Sequence, residues 1–353
     1  MKYSIIIPVY NAKKFLNSCI QCIFDSGLRD FEVILVNDGS TDGTDQECIR
    51  LSQKYPEIVY INQNNRGVSV ARNTGIKHSK GEYILFCDAD DFFEKNCFVD
   101  LNECLSSKTD LLVYGLSMDF YYKNICYQQN VLIYPMEGVM DVQGWSAIFK
   151  RLYDFNVLSP VWNKVYRRDI IQKYGMKFNE KMMLLEDLVF SVEYFSHCSN
   201  VFFYNKLAYH YKQSEDEHRI QKRLNIIDSL NNYVKEIQNI FLNADFNLFQ
   251  NKGLRIIGIE EIIGTIFYTL VSQKLYYASL REIRMYATEI LRSDFCSEAL
   301  NVKVGNDAVR LYRNLQKKRY LSIRLHNKYH QIRHAIAIRY KFLKVRYKDN
   351  IYR

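Results

Sequence analysis

Glu82-Tyr83-Ile84-Leu85-Phe86-Cys87-Asp88-Ala89-Asp90-Asp91 drives an apolar run directly into three carboxylates. A run of this kind without polar alternation reads as a strand buried on both faces, the form strands take in a parallel sheet covered by helices. Like charges packed so closely repel unless a cation sits among them. A hard divalent ion such as Mn²⁺ or Mg²⁺ is the natural counterion, because it takes oxygen ligands, holds one or two protein carboxylates and completes its shell with substrate phosphates. The competing reading, a solvated acidic turn capping the next helix, is weakened by the buried strand that delivers it.

Working outward, Tyr3 to Val9, Glu32 to Asn37 and Ile58 to Asn62 are further apolar, β-branched runs, and Asp110 to Phe120 is another. Between the first four lie helix-period segments, AKKFLNSCIQCIF, QECIRLSQKY and VSVARNTGIKH. Such alternation predicts βαβ units in a mostly parallel sheet flanked by helices, a Rossmann-like α/β fold. Ligands of such sheets bind at the carboxyl ends of the strands. Polar residues gather there: Pro8-Val9-Tyr10-Asn11, then Asn37-Asp38-Gly39-Ser40-Thr41-Asp42-Gly43-Thr44, then Gln63-Asn64-Asn65-Arg66-Gly67, then the acidic cluster. Four such ends describe one rim. Ser40, Thr41 and Asp42 are read as a capped turn opening the second helix, with Thr41 or Ser40 as the cap, while Asp38 stands at the strand end itself, where it can accept hydrogen bonds from a base or ribose. No G-x-G-x-x-G or G-x-x-x-x-G-K-[ST] is present, which disfavours a dinucleotide oxidoreductase or a P-loop phosphotransferase.

The 353 residues allow a large core and about two domains. The composition is that of a globular protein, with 48% hydrophobic residues, 25% charged and only 4 Pro. Its nine cysteines are odd in number and irregularly spaced, so no disulfide framework is indicated, and Cys19-x-x-Cys22 falls in an apolar helical run without a second metal-spaced pair. The N-terminal apolar run before Pro8 is too short for a signal-peptide core, and Glu260 and Glu261 interrupt the longest later one, so a cytoplasmic chain without a membrane span is expected. The net charge of +9 is uneven: residues 311–353 carry thirteen Lys or Arg against Asp349 alone, leaving the rest slightly acidic.

In order and spacing, Pro8-Val9-Tyr10-Asn11, Val36-Asn37-Asp38-Gly39-Ser40-Thr41-Asp42, Asn64-Asn65-Arg66-Gly67, Ala71-Arg72-Asn73-Thr74-Gly75 and Asp88-Ala89-Asp90-Asp91 resemble family 2 glycosyltransferases of the GT-A fold, of the type that builds bacterial capsular polysaccharide, exopolysaccharide or lipopolysaccharide. The likeness continues less tightly through Val161-Trp162-Asn163-Lys164-Val165-Tyr166-Arg167-Arg168 and Glu186-Asp187 to Tyr209-His210-Tyr211, then stops. The implied organisation is a GT-A catalytic domain over 1–215, with a nucleotide-binding half (1–105) and an acceptor half (106–215). A smaller, mainly α-helical domain follows over 216–353, ending in a basic amphipathic tail, 311–353.

Carried over by position, the resemblance implies that Pro8, Tyr10, Asp38 and Arg72 surround a uridine-type nucleotide and that Asp88 holds the ribose. Asp90, with Asp91, would take the metal (Mn²⁺ or Mg²⁺) and the diphosphate. Asp187 is implied as the base that deprotonates the acceptor, with Glu186 as its neighbour or substitute, since adjacent helical residues diverge by about 100°. A plain helix N-terminal role is the alternative for this pair. Lys164 faces the donor diphosphate or the acceptor, or else pairs with a buried carboxylate. The expected reaction is a metal-assisted, inverting single displacement from a UDP-sugar, hexosyl or N-acetylhexosaminyl, to a glycan acceptor. The basic tail, interleaved with Leu321, Ile323 and Leu325, points to peripheral contact with anionic lipid on the inner face of the membrane, and so to a lipid-linked acceptor. No nucleic-acid fold is recognisable. The rival functions are a non-catalytic nucleotide-sugar-binding module and a sugar-phosphate nucleotidyltransferase, the latter disfavoured by Tyr10-Asn11-Ala12 in place of a Gly-rich basic loop.

Overall fold

The structure, a computed structural model, describes residues 1–214 except 107, 123–124, 149–150, 153–156 and 183–184, together with 236, 281, 314, 317–319, 321–325 and 327–328. The expected helical C-terminal domain, its basic tail and the apolar stretch around Glu260 lie almost wholly outside the described residues. By internal contacts the chain divides into one unit of residues 1–119 and 129–212 and another of 120–128 and 213–353. The rim of strand ends belongs to the first unit.

The elements run β1 (Tyr3–Val9), α1 (Lys13–Asp25), β2 (Phe31–Asp38), α2 (Thr44–Lys54), β3 (Ile58–Gln63), α3 (Val68–His78), β4 (Tyr83–Phe86), β5 (Phe92–Phe93) and α4 (Leu101–Cys104). They continue with β6 (Leu111–Tyr122), β7 (Ile125–Leu132), β8 (Gly138–Asp141), α5 (Val142–Ala147), β9 (Lys164–Arg167), α6 (Arg168–Lys173), α7 (Glu186–Ser196) and β10 (Asn200–Ser214). The sheet order β3-β2-β1-β4-β9-β6-β10-β5 places β1 at the centre of a parallel half. There it pairs with β2 (Pro8 opposite Val36, Val9 opposite Asn37) and with β4 (Ile6 opposite Phe86). The expected parallel α/β arrangement therefore holds through β4. Beyond it, β9 runs antiparallel to both β4 and β6, and β10 antiparallel to β5. Antiparallel pairing there returns residues from far along the chain to the parallel strand ends.

Burial explains the near-continuous apolar runs: Ile5, Ile6, Ile7, Val33, Ile34, Leu35, Ile84, Leu85 and Phe86 are all sealed from solvent. Packing is tight enough that a Cβ on Gly75 would meet Ile6 Cγ2 at 2.2 Å, so α3 sits directly on β1. The aromatic core joins the halves of the unit, Phe178 stacking on Phe190 at 4.1 Å and meeting Phe86 edge-on at 5.4 Å.

One local expectation fails. Neither Ser40 nor Thr41 caps α2, which begins behind Gly43 in a left-handed conformation (φ 89°). Ser40 Oγ instead donates to Asn37 Oδ1 and accepts the Asn11 N–H at 2.9 Å, while the Thr41 N–H donates to Asn11 Oδ1 at 2.8 Å. Asp42 takes over at the helix start, accepting the Thr44 N–H at 3.0 Å. The neighbouring β1–α1 turn supplies partners that lie outside the helix start, and they win. The eight described cysteines are free thiols. No helix among the described residues is long and apolar enough to cross a membrane.

Candidate active site

Three carboxylates and one guanidinium form the heart of the rim. Arg72, buried in α3, donates from Nη2 to Asp88 Oδ1 at 3.1 Å, pairs through Nη1 with Asp187 Oδ1, and lies 3.6 Å from Glu186 Oε1. Asp88 lies two residues past the end of β4; Glu186 and Asp187 open α7, where a helix N-terminus favours negative charge. Both adjacent acids reach the same guanidinium nitrogen, Asp187 more closely than Glu186. The extra methylene of Glu186 compensates for its different direction. Asp187 keeps 26% of its side chain exposed, so it remains accessible to a substrate.

Burial and charge act in opposite directions on this cluster. Desolvation opposes the charge on Arg72, yet Asp187, Asp88 and Glu186 outweigh it and raise its pKa. Desolvation in the same cleft pushes Asp187 up to about 8 against the pull of Arg72, and raises Glu186 as well. A carboxylate so raised is a better proton acceptor than an ordinary surface acid. The Arg72 Nε has no protein partner among the described residues.

Arg72 owes its placement to its neighbours in α3. Asn73 clamps the Phe178 backbone, its amide nitrogen donating to the Phe178 carbonyl at 2.9 Å and its amide oxygen accepting the Phe178 N–H at 2.8 Å. The Phe178 ring lies 5.3 Å from the Arg72 guanidinium, a cation–π contact. Thr74 donates to Gln63 Oε1 at 2.8 Å, and Gln63 Nε2 donates to Asp38 Oδ1 at 2.8 Å. Asp38 also accepts the backbone N–H groups of Arg66 (2.9 Å) and Gly67 (2.8 Å). Three of a carboxylate's roughly four acceptor sites are thus spent on the loop before α3, leaving one for a ligand.

The acidic turn is divided in its tasks. Asp91 is buried, and both its oxygens are taken, one by the Tyr209 hydroxyl and the other by the Lys212 N–H, each at 2.8 Å. Burial, then the nearby charges of Asp88 and Asp90, raise its pKa. Asp88 and Asp90 are only half-buried. This crowding of hard oxygen donors is what a divalent cation relieves, so the turn fits such an ion. Asp91 is engaged inside the protein, whereas Asp90 and Asp88 keep part of their surface exposed. Among the described residues no set of three or more His, Cys, Asp or Glu is arranged to hold an ion unaided.

Pro8, half-buried, and Tyr10, 48% exposed, lie at the carboxyl end of β1 beside Asn37. Lys164 is 0% exposed, its ammonium donating to the Pro160 carbonyl and, at 2.8 Å, to Asn163 Oδ1; burial pushes its pKa far down, against the pull of the Asp187 charge. His210 is likewise interior, its ring nitrogens 2.8 Å from Asp119 Oδ2 and 2.8 Å from Glu94 Oε2. Sequence reasoning gave no role to Asn73, Gln63 or Tyr209, although each lies inside a quoted segment: Ala71 to Gly75, the polar end of the third strand, and Tyr209-His210-Tyr211.

The glycosyl transferase family 2 model matches residues 4–175. Over 213 residues the chain is 30% identical to an uncharacterized glycosyltransferase, EpsJ, of Bacillus subtilis, the match covering 60% of this chain and 61% of that protein. A second B. subtilis protein, the putative glycosyltransferase EpsH, is 27% identical over 225 residues, covering 63% of this chain and 64% of the relative. The chain therefore spans less than two thirds of these curated relatives. The crystal structure of Staphylococcus aureus TarS 1-349 in complex with UDP-GlcNAc superimposes with a TM-score of 0.60 at 19% identity, over 90% of this chain and 92% of that one, a likeness of fold.

Proposed function

Residues 4–175 make this chain a member of glycosyl transferase family 2, and from that premise we propose that it transfers a sugar from a UDP-sugar to a glycan acceptor with inversion at the anomeric carbon. The observation that carries the reading is the single guanidinium of Arg72 joining Asp88, on the donor side, to Asp187, at the head of α7. One group thereby sets the separation between diphosphate and base.

Tyr10 offers an exposed ring for the base, Asp38 its remaining acceptor site, and Asp88 the ribose contact. A divalent cation held by Asp90, with Asp88, would neutralise charge on the departing diphosphate. Asp187 accepts the acceptor hydroxyl's proton as that oxygen bonds to the anomeric carbon; the bond to the diphosphate breaks and its electron pair leaves with the nucleotide. Glu186 shares Arg72 and steadies the pair. Relatives named for glycosyl transfer and a fold neighbour crystallised with UDP-GlcNAc support a UDP-sugar, hexosyl or N-acetylhexosaminyl, as donor. The basic segment 311–353 supports a lipid-linked acceptor met at an anionic membrane surface.

The test is a screen of nucleotide sugars for Mn²⁺-dependent thermal stabilisation and transfer, since a bound donor stabilises the fold by mass action. Asp90→Asn is expected to abolish the metal-dependent part. A folded protein that no nucleotide sugar stabilises, with or without Mn²⁺, would end the reading. Removal of residues after Arg310 should release the protein from anionic vesicles, and unchanged sedimentation would end the membrane part alone.

A further inference from the structure

We propose that Tyr209 is a positioning residue for the acidic turn, its phenol fixing the backbone on which Asp88 and Asp90 are carried. The inference rests on reading that turn as the cation and diphosphate site.

Tyr209 stands in β10, more than a hundred residues beyond the turn, and is fully buried. A phenol donates one hydrogen bond and can accept others, and this one does both on the same loop. Its oxygen accepts the Asp88 N–H at 3.0 Å, and its proton goes to Asp91 Oδ2 at 2.8 Å. The Asp91 N–H closes the turn onto the Asp88 carbonyl at 3.1 Å. One hydroxyl therefore spans both ends of a four-residue turn, and the Lys212 N–H ties its far end again through Asp91 Oδ1.

The ring itself has little room to move. It stacks on Trp162 at 4.5 Å and 14° and meets Phe93 edge-on at 5.4 Å, with Phe93 its register partner in β5. The oxygen is thus held by packing from the antiparallel half, and the turn is held by the oxygen. Repulsion among Asp88, Asp90 and Asp91 works to splay the turn, so the phenol opposes the very charge that makes the turn suited to a cation. Asp88 has a second hold from Arg72, and Asp91 has one from the Lys212 N–H. Trp162 acts here as the platform for Tyr209.

Tyr209→Phe keeps the ring and its stacking and deletes the lock. Loss of an outer support of a metal-binding group typically costs about ten- to a hundredfold in metal affinity. The experiment measures Mn²⁺ half-saturation for UDP binding, and uridine binding without metal, in the wild type, Tyr209→Phe and Tyr204→Phe. Tyr204 is the matched control: a buried phenol on the same strand that bonds Asp100 and the Cys97 carbonyl, away from the turn. The expected result is a Mn²⁺ requirement raised about tenfold or more in Tyr209→Phe, with the affinity for uridine, which touches the turn only through Asp88, lowered by less, and Tyr204→Phe like the wild type in both. Equal Mn²⁺ requirements in Tyr209→Phe and the wild type overturn the proposal alone. A wild type that binds no Mn²⁺–UDP overturns the reading of the turn and the proposal with it. Should Tyr209→Phe not fold, amide exchange on the wild type decides: a protected Asp88 N–H supports the lock, and exchange at the rate of an open loop overturns it.

Discussion

Arg72 and Lys164 are both buried cations inside short, family-like motifs, yet they end in opposite electrostatic states. Arg72 lies in the parallel half among three carboxylates, and its pKa is raised. Lys164 lies in the antiparallel half against a carbonyl and an amide oxygen, and its pKa is driven down. The planar fork of a guanidinium can serve several carboxylates at once, whereas an ammonium bonded to a carbonyl and an amide oxygen, with Asp187 acting on it only through space, is dominated by its desolvation. Burial alone does not mark a functional cation; the charge of its partners does.

Arg72→Met should break the comparison most severely. Three carboxylates would lose their shared counter-charge, costing on the order of 3 kcal/mol by urea unfolding, and transfer should vanish. Arg72→Lys should restore little, since one ammonium cannot span Asp88 and Asp187 together; full activity in that variant would dismiss the bridge as the organising contact.

Asp187→Asn comes next. Transfer should drop about 10²- to 10⁴-fold while UDP-sugar binding holds. In the wild type a base must be ionised, so turnover should rise with pH through the region near 8 to which Asp187 is pushed, and the variant should lack this limb. Stability follows the opposite sign. Because the folded state holds this proton more tightly than the unfolded chain does, Asp187's contribution is full below the ordinary carboxyl range and is lost as pH rises through its folded value. A pH profile identical in both proteins would move the base elsewhere.

The smallest effect sharpens the contrast. Lys164→Met replaces a poorly charged interior amine with an apolar chain of similar length, so stability should change by about 1 kcal/mol and the KM for donor should hold within twofold. A large rise in donor KM would put Lys164 back at the diphosphate.

Much of the parallel half is legible because its information is local. The strand beginning at Tyr3 and the helix Val68–His78 carry their period and breakers within a dozen residues, and each strand end shows its polar residues in sequence. The expected rim forms because parallel strands in register align their carboxyl ends. Ser40 and Thr41 escape a local reading because both bond Asn11, which depends on how two neighbouring loops meet, and Ser40 also turns back to Asn37 rather than forward to the helix. Tyr209 and Gln63 lie in marked segments, but their roles leave no local sign, since their hydrogen bonds are made to residues far away or on a neighbouring element.

By itself the sequence determined the parallel α/β half, its rim and the acidic turn, because hydrophobic period and charge crowding are properties of adjacent residues. Only the tertiary structure decided which carboxylates stay open and which are used up, which cation keeps its charge, and that Asp88 and Asp187 share one guanidinium. Those outcomes depend on desolvation and on partners supplied from across the chain, quantities that no stretch of residues holds alone.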